Sequence, residues 1–144
     1  REFVFSEPGV DVDGLKVWGS SQTSFGIGTD IRLTDGLKLD VDFNQYSKLY
    51  ARPRSIRSKD DFLELPSFGL LDIGASYNHN LANGQLLTFR ANLYNALGKE
   101  YISRATSVVK ASTTEAENWN GVNRSNFVQF GKTRTWNFSI RYSF

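Results

Sequence analysis

The chain closes with ten residues in which polar and apolar side chains alternate without a break, Thr135-Trp136-Asn137-Phe138-Ser139-Ile140-Arg141-Tyr142-Ser143-Phe144. Successive side chains of a β-strand point to opposite faces, so the pattern predicts a strand with one apolar and one polar face. The apolar face consists of Trp136, Phe138, Ile140, Tyr142 and Phe144. Such a strand packs its apolar face against a protein core or against lipid.

Four earlier segments alternate in the same way, at residues 25–33, 37–44, 71–78 and 87–94. Asp35-Gly36 predicts a two-residue type I′ hairpin turn between the first two, and Asn83-Gly84 predicts a short turn between the last two. No helical period is found. Residues 1–20 read as loop, and the fourth strand is expected to continue through a bulge near Gly98 to about Thr106.

Long connections at about residues 47–68 and 106–132 separate these hairpins and the closing strand. Short turns at one end of a sheet and long loops at the other are typical of outer-membrane β-barrels. The polar faces also carry charges, at Asp30, Arg32, Asp40, Asp42, Asp72, Arg90 and Arg141. The sequence therefore predicts an all-β, antiparallel transmembrane barrel segment. A soluble β-sandwich remains the alternative, because its strands alternate as well.

Five strands are too few to close a barrel, for which about eight is the smallest common number. Open strand edges in lipid would leave backbone groups without hydrogen-bond partners. We therefore expect the 144 residues to be a single C-terminal part of a larger barrel, paired with strands outside this chain.

Composition excludes several classes of function. The net charge is only +2, which gives no support to a nucleic-acid partner, and the chain contains no cysteine for disulfides, thiol chemistry or cysteine metal sites. No apolar run is long enough for a transmembrane helix, although a membrane-spanning β-strand needs only about 9–11 residues. No signal-peptide pattern is found in residues 1–20.

Catalytic chemistry finds little support. The lone His79 lies beside a turn, where a solvated histidine is the simpler interpretation. Asp40 and Asp42 share a face, and paired carboxylates can transfer protons, but a salt-bridged barrel lining is the simpler interpretation for them too. No nucleophile motif, phosphate loop or metal-ligand spacing is found. We expect no enzyme activity, no catalytic residue, no metal and no cofactor.

Two loops carry candidate ligand-binding residues. Tyr50, Arg52, Arg54 and Arg57 form a basic, aromatic-flanked loop suited to an anionic ligand such as a carboxylate-bearing siderophore or an acidic glycan. A solvated loop, or one contacting lipopolysaccharide, is the competing interpretation. Trp119, Asn120, Asn123 and Arg124 are a set that could stack on and hydrogen-bond a sugar, with plain loop packing as the alternative.

Three runs resemble the last strands of TonB-dependent outer-membrane receptors. The run from Leu65 to Tyr77 resembles the third-from-last strand, and Phe130 to Trp136, leading into Phe144, resembles the closing strand of Bacteroidetes-type members. Residues 90–95 with 99–101 resemble the family's N-L-F-[DN]-x-x-Y motif, with tyrosine in the Phe place and a longer spacing to the final tyrosine. Together the resemblance covers most of residues 16–144.

The resemblance implies the last five strands of a 22-stranded, plugged barrel, in the outer membrane of a Gram-negative cell. It implies energised import of a nutrient, with the TonB complex acting through a plug outside this chain. Expected partners are outer-membrane lipid, the rest of the barrel and plug, the outer-membrane assembly (BAM) machinery and a surface lipoprotein. The apolar residues of the closing strand would form the assembly signal. A passive porin-like or adhesion barrel is the alternative function.

Overall fold

The computed structural model describes residues 14–54, 61–107 and 109–144. The strands, in chain order, are β1 (Ser21–Arg32), β2 (Leu37–Tyr50), β3 (Arg52–Pro53), β4 (Glu64–Leu65), β5 (Phe68–Asn80), β6 (Leu86–Tyr94), β7 (Ile102–Ser107), β8 (Asn118–Trp119), β9 (Val122–Asn123), β10 (Phe127–Phe130) and β11 (Thr135–Ser143). Two short 3-10 turns, Ala82–Gly84 and Glu115–Glu117, lie between strands of the described part, which contains no α-helix. The chain is therefore all-β, as the alternating patterns predict.

The chain divides into two compact units. The sheet unit comprises residues 25–45, 69–100 and 132–144, and the described part of the loop unit comprises residues 14–24, 46–54, 61–68, 101–107 and 109–131. β1, β2 and β5 contribute residues to both units because they run across the boundaries at Ser24, Gln45 and Phe68.

In the sheet unit the strand order is β1-β2-β5-β6-β11, which is also the order along the chain. β6 pairs antiparallel with β5, from Leu93 opposite Ile73 to Leu86 opposite Asn80, and with β11, from Tyr94 opposite Thr135 to Leu86 opposite Ser143. The prediction of five alternating strands in an antiparallel sheet is confirmed. Within the described residues β1 and β11 form the two edges, so this sheet is open.

Both short connections differ in detail from the predicted turns. The first spans Leu33–Gly36, with Leu33 N–H donating to the Leu37 carbonyl at 2.9 Å, and neither Asp35 nor Gly36 has the positive φ that a type I′ turn requires. The second contains the 3-10 turn Ala82–Gly84, closed by a 2.8 Å bond from Leu81 N–H to the Gln85 carbonyl. Both connections are short, so the two predicted hairpins are present although their turn geometry differs.

The expected continuation of the fourth strand past Gly98 is wrong. β6 ends at Tyr94, and Asn95 and Gly98 take φ values of 48° and 64°, which turn the backbone out of the sheet. The following strand, β7, belongs to a separate three-stranded sheet of order β10-β7-β3. Local alternation alone could not reveal this, because the residues on both sides of the turn are compatible with a strand.

The predicted loop at 106–132 also contains regular structure. β10 pairs antiparallel with β7, while β8 and β9 form a small hairpin. β3 pairs parallel with β7, with Arg52 opposite Thr106, so the antiparallel description holds for the sheet unit but not for every pair in the chain. Residues 1–13 of the predicted first loop lie outside the described residues.

The loop unit contains the apolar core of the described chain. Its buried hydrophobic residues come from several strands and connections, namely Leu49, Tyr50, Ala51, Leu65, Phe68, Ile102, Ala105 and Val122. Beside them the rings of Tyr46 and Phe68 lie 5.1 Å apart, and those of Phe68 and Tyr101 stack at 4.1 Å. Aromatic pairs at such separations stabilise beyond their buried area. This unit is therefore packed like an ordinary globular core.

Gly131 lies directly against the Tyr101 ring, and its N–H donates to the Tyr101 carbonyl at 2.9 Å. A Cβ at this position would overlap the Tyr101 ring, whose position is also restricted by its stacking on Phe68. We expect Gly131→Ala to lower the free energy of unfolding by about 1–3 kcal/mol, as overpacking does elsewhere. Denaturant titration checks this. Combining it with Tyr101→Ala should cost less than the sum of the single changes; strict additivity would contradict the overlap.

Candidate functional site

The apolar sides of the strands in the sheet unit form one continuous face. Along the pairing registers Trp136, Leu93 and Ile73 lie side by side, and one further row contains Ile140, Phe89 and Tyr77. The Phe89 ring lies 6.4 Å from Tyr77 and 6.5 Å from Phe138. On β1 the same alternation places Phe25 and Ile27, exposed by 61% and 63%, on one side of the strand. We call this surface the apolar face.

No side chain of the apolar face is buried. Trp136, Phe138 and Ile140 are exposed by 76%, 54% and 59%. Among the described residues of the sheet unit only Gly74 and Asn95 are buried. Covering one large apolar side chain stabilises a protein by about 1.5–3 kcal/mol, so this face has a strong requirement for an apolar surrounding.

The opposite, polar face is joined by hydrogen bonds across the strands. Arg90 Nε donates to Asn92 at 3.0 Å, Asn92 donates to Asn137 at 2.7 Å, and Asn137 donates to the Tyr94 hydroxyl at 3.4 Å. On the same face Thr88 donates to Asn78 at 2.9 Å. β5, β6 and β11 therefore present groups that are suited to water or to a polar partner, and not to lipid.

Arg90 also contacts Asp40, two strands away, at 3.4 Å from its Nη2 to both carboxylate oxygens. The contact passes over Gly74 on the intervening strand, where a Cβ would overlap the Asp40 carboxylate. Asp40 is therefore part of an ion pair on the polar face, as predicted, whereas the barrel lining itself stays a prediction. Both charged side chains are partly exposed, by 50% and 25%, so the pair contributes little to stability.

Asn95 closes the corner between β6 and the segment before β11. Its side chain is buried, with 4% exposure, and its Nδ2 donates to the carbonyls of Lys99 at 2.8 Å and Lys132 at 3.2 Å. Its Oδ1 accepts from Lys99 N–H at 2.8 Å, and its own N–H donates to Asp72 at 2.8 Å. Asn95 therefore has a structural role, because both polar atoms of its side chain form hydrogen bonds.

The loop unit contains an open cleft of about 550 Å³. We call it the Trp18 cleft, after its aromatic wall, and its principal side chains are Trp18, Tyr50, Arg52, Arg104, Phe127 and Gln129. The volume lies within the range that is usual for small-molecule sites. Of the predicted residues of the basic loop, Tyr50 and Arg52 line this cleft. Arg54 does not line it, and Arg57 lies outside the described residues.

The register of β10-β7-β3 explains how the polar residues meet. Arg104 is opposite Gln129, while Thr106 is opposite both Phe127 and Arg52. Arg104 and Thr106 are two residues apart on β7, so all of these side chains share one face of the small sheet. The other face contains Ala105, Pro53 and Val128, of which the first two are buried. One face of the small sheet contributes to the core, and the other face lines the cleft.

Aromatic and charged groups surround the cleft. The Arg52 guanidinium lies 5.9 Å from the Trp18 ring, and the Lys16 ammonium lies 5.6 Å from the Tyr50 ring, both within cation–π range. The Tyr50 hydroxyl donates to Glu64 at 3.3 Å. Burial of the ring is the main cause that raises the pKa of Tyr50, and the neighbouring Glu64 carboxylate is the second. The hydroxyl is therefore protonated at neutral pH and can donate.

The second predicted set is largely engaged within its own loop. Asn120 and Gly121, with φ values of 47° and 84°, form the two-residue turn between β8 and β9. Asn123 is buried and accepts from Ser125 N–H at 2.9 Å. Trp119 contacts the Phe130 ring edge-on at 5.2 Å, and Arg124 Nε lies 3.4 Å from the Asn118 carbonyl. These contacts are what loop packing requires, and sugar binding by this set stays a prediction.

Trp18, Arg104, Phe127 and Gln129 were missed by reasoning from sequence. A short alternation of side chains is present at residues 104–106 and again at residues 127–129. This pattern is the signal that could have indicated two paired strands. Among the described residues no group of three or more histidine, aspartate or glutamate side chains is placed to hold a metal. His79 is exposed and lies 6.3 Å from the Tyr77 ring.

No helix in the described part of the chain is long and apolar enough to cross a membrane. Comparison of the chain with known protein families, with curated proteins and with solved structures finds no match.

Proposed function

We propose that this chain is part of the wall of an outer-membrane β-barrel that imports a nutrient, energised by the TonB complex. The observation that carries the proposal is the apolar face, an exposed surface of aromatic and branched side chains on a sheet whose other face is polar. Lipid on one side and water or a plug on the other satisfies both faces at once.

Strand length supports the same proposal. β6 and β11 each contain nine residues, which is within the range of about 9–11 residues that a tilted membrane-spanning β-strand needs. The open edges at β1 and β11 are the positions at which further strands of the barrel would pair. The closing aromatic and aliphatic residues would also act as the signal for the BAM machinery, and the long connections would face the medium.

Alternating lipid contact along β11 is the direct test. The chain contains no cysteine, so single cysteines at positions 136 to 143 can be spin-labelled without background from these residues. In the complete polypeptide, reconstituted in lipid, labels at 136, 138, 140 and 142 should collide with oxygen. Labels at 137, 139, 141 and 143 should collide with a water-soluble nickel complex. Without a period of two along the strand, the apolar face does not contact lipid.

Import, as opposed to passive diffusion or adhesion, depends on a plug. A globular domain encoded before the barrel strands, with a segment that contacts TonB, is expected in the complete reading frame. Its absence would leave the porin-like or adhesion barrel as the better assignment. The transported ligand would be a siderophore, a glycan or a similar molecule, and a surface lipoprotein is a further candidate partner.

A further inference from the structure

The Trp18 cleft combines two features that point to one class of ligand. Arg52 and Arg104 project from the same face of the small sheet, on neighbouring strands. Neither guanidinium has a carboxylate partner among the described residues. Two unpaired guanidinium groups at one cleft favour an anion, and their planar donors match a carboxylate in particular.

The second feature is the flat apolar wall. Trp18 lies on one side of Arg52, and Phe127, which is exposed by 78%, stands beside Thr106 on the neighbouring strand. The Trp18 ring is half-buried and stacks on the Phe62 ring at 6.4 Å, so it forms a fixed apolar wall. The exposed Phe127 ring is suited to stacking on a ring of the ligand. Gln129, opposite Arg104, adds an amide that can donate to or accept from a hydroxyl.

The negative groups nearby do not cancel this preference. The Glu64 carboxylate accepts a hydrogen bond from the Tyr50 hydroxyl, and the Lys16 ammonium lies over the Tyr50 ring. Among the described residues, three cationic side chains therefore stand at or beside the cleft, and the Glu64 carboxylate accepts a hydrogen bond from Tyr50. This excess of positive charge favours an anion, although the chain as a whole has a net charge of only +2.

We propose that the Trp18 cleft binds a carboxylate carried on a ring, such as a uronic acid, with Arg52 and Arg104 holding the carboxylate, Phe127 stacking on the ring and Trp18 forming the apolar wall beside it. The assignment of this ligand as cargo rests on the proposed function, whereas the binding itself is a property of the loop unit. It adds Trp18, Arg104, Phe127 and Gln129 to the residues predicted from sequence.

Matched pairs of small molecules test the proposal in the complete polypeptide in detergent. Galacturonate is compared with galactose, and benzoate with benzyl alcohol, by ligand-observed saturation-transfer NMR. At least one acid should bind in the millimolar range, about tenfold more tightly than its neutral counterpart, and raising the salt concentration should weaken it. Equal binding of acid and neutral partner in both pairs would overturn the proposal.

Variants then locate the site. Arg52→Gln combined with Arg104→Gln should weaken binding of the acid about tenfold and leave the neutral analogue unaffected. Arg52→Gln alone should also weaken binding of the acid. Its matched control is Arg54→Gln, which removes one charge from the same basic loop; because Arg54 does not line the cleft, this variant should bind as the parent does. Equal losses in the two proteins would show that general charge, and not the cleft, attracts the acid.

The spin-label pattern on β11 separates this proposal from the proposed function. Retained alternation without binding of either acid would overturn the ligand assignment alone. Acid binding without alternation would overturn the membrane assignment and leave the cleft as the site of a binding module.

Discussion

Replacing Phe138 by arginine should sharply reduce the amount of folded, membrane-inserted protein. Phe138 lies in the middle of β11, opposite Ala91 on β6, and its ring is exposed by 54% on the apolar face. If this face contacts lipid, the guanidinium would be placed where no water or partner can solvate it. The cost of such a charge on the lipid face of a barrel is about 2–4 kcal/mol near the midplane and less near the interface.

Ser139→Arg provides the matched control, because the same charge is introduced one residue later on the polar face. Ser139 is opposite Arg90, so repulsion between like charges should cost a fraction of about 1 kcal/mol. Cells expressing the complete reading frame are fractionated, and the folded species is measured by its faster migration in unheated SDS gels. Similar yields of the two variants would show that the two faces of β11 do not have different surroundings.

The five strands of the sheet unit could be predicted from sequence because each depends on a local pattern. In β11 every residue from Thr135 to Ser143 obeys the period of two, and its pairing with β6 places apolar side chains opposite one another. The turn at Asp35-Gly36 was predicted in position but not in type. A turn's type depends on backbone angles that the flanking strands also determine, and not on the dipeptide alone.

The Trp18 cleft could not be predicted because its parts are far apart in the chain. Trp18 and Arg52 belong to an early segment, whereas Arg104 and Gln129 belong to two later strands. The parallel pairing of β3 with β7 unites them, but β3 contains only two residues, too few to show any period. Tyr50 and Arg52 were found because loop composition is local, and Arg104 was missed because strand pairing is not.

Asn95 shows a different limit, because the sequence resemblance that includes this residue did not indicate its structural role. It ends β6 with a positive φ of 48°, a conformation that asparagine tolerates better than most residues. Its amide then satisfies backbone groups at Lys99 and Lys132, which lie on the two segments that enter and leave the long connection before β11. The corner therefore helps to set where β11 begins to pair with β6.

Asn95→Ala should lower the free energy of unfolding by about 3 kcal/mol. Three hydrogen bonds of the buried side chain are lost, each contributing about 0.5–1.5 kcal/mol, and alanine is less favourable than asparagine at a positive φ. Asn95→Gly loses the same bonds without the backbone strain, so it should be about 1 kcal/mol less harmful. Urea titration of the folded protein in detergent or lipid gives both values.

Asn92→Ala completes this comparison, because Asn92 lies on the same strand and also forms two side-chain hydrogen bonds, with Arg90 and Asn137. Both of these bonds are exposed to solvent, so water can replace them and the expected cost stays below about 1 kcal/mol. An equal loss of stability at positions 92 and 95 would mean that the corner is not a special constraint. Asn95 forms one more side-chain hydrogen bond than Asn92, so a loss at 95 that exceeds the loss at 92 by more than about 1.5 kcal/mol would show that burial, beyond the extra bond, makes this asparagine important to the sheet.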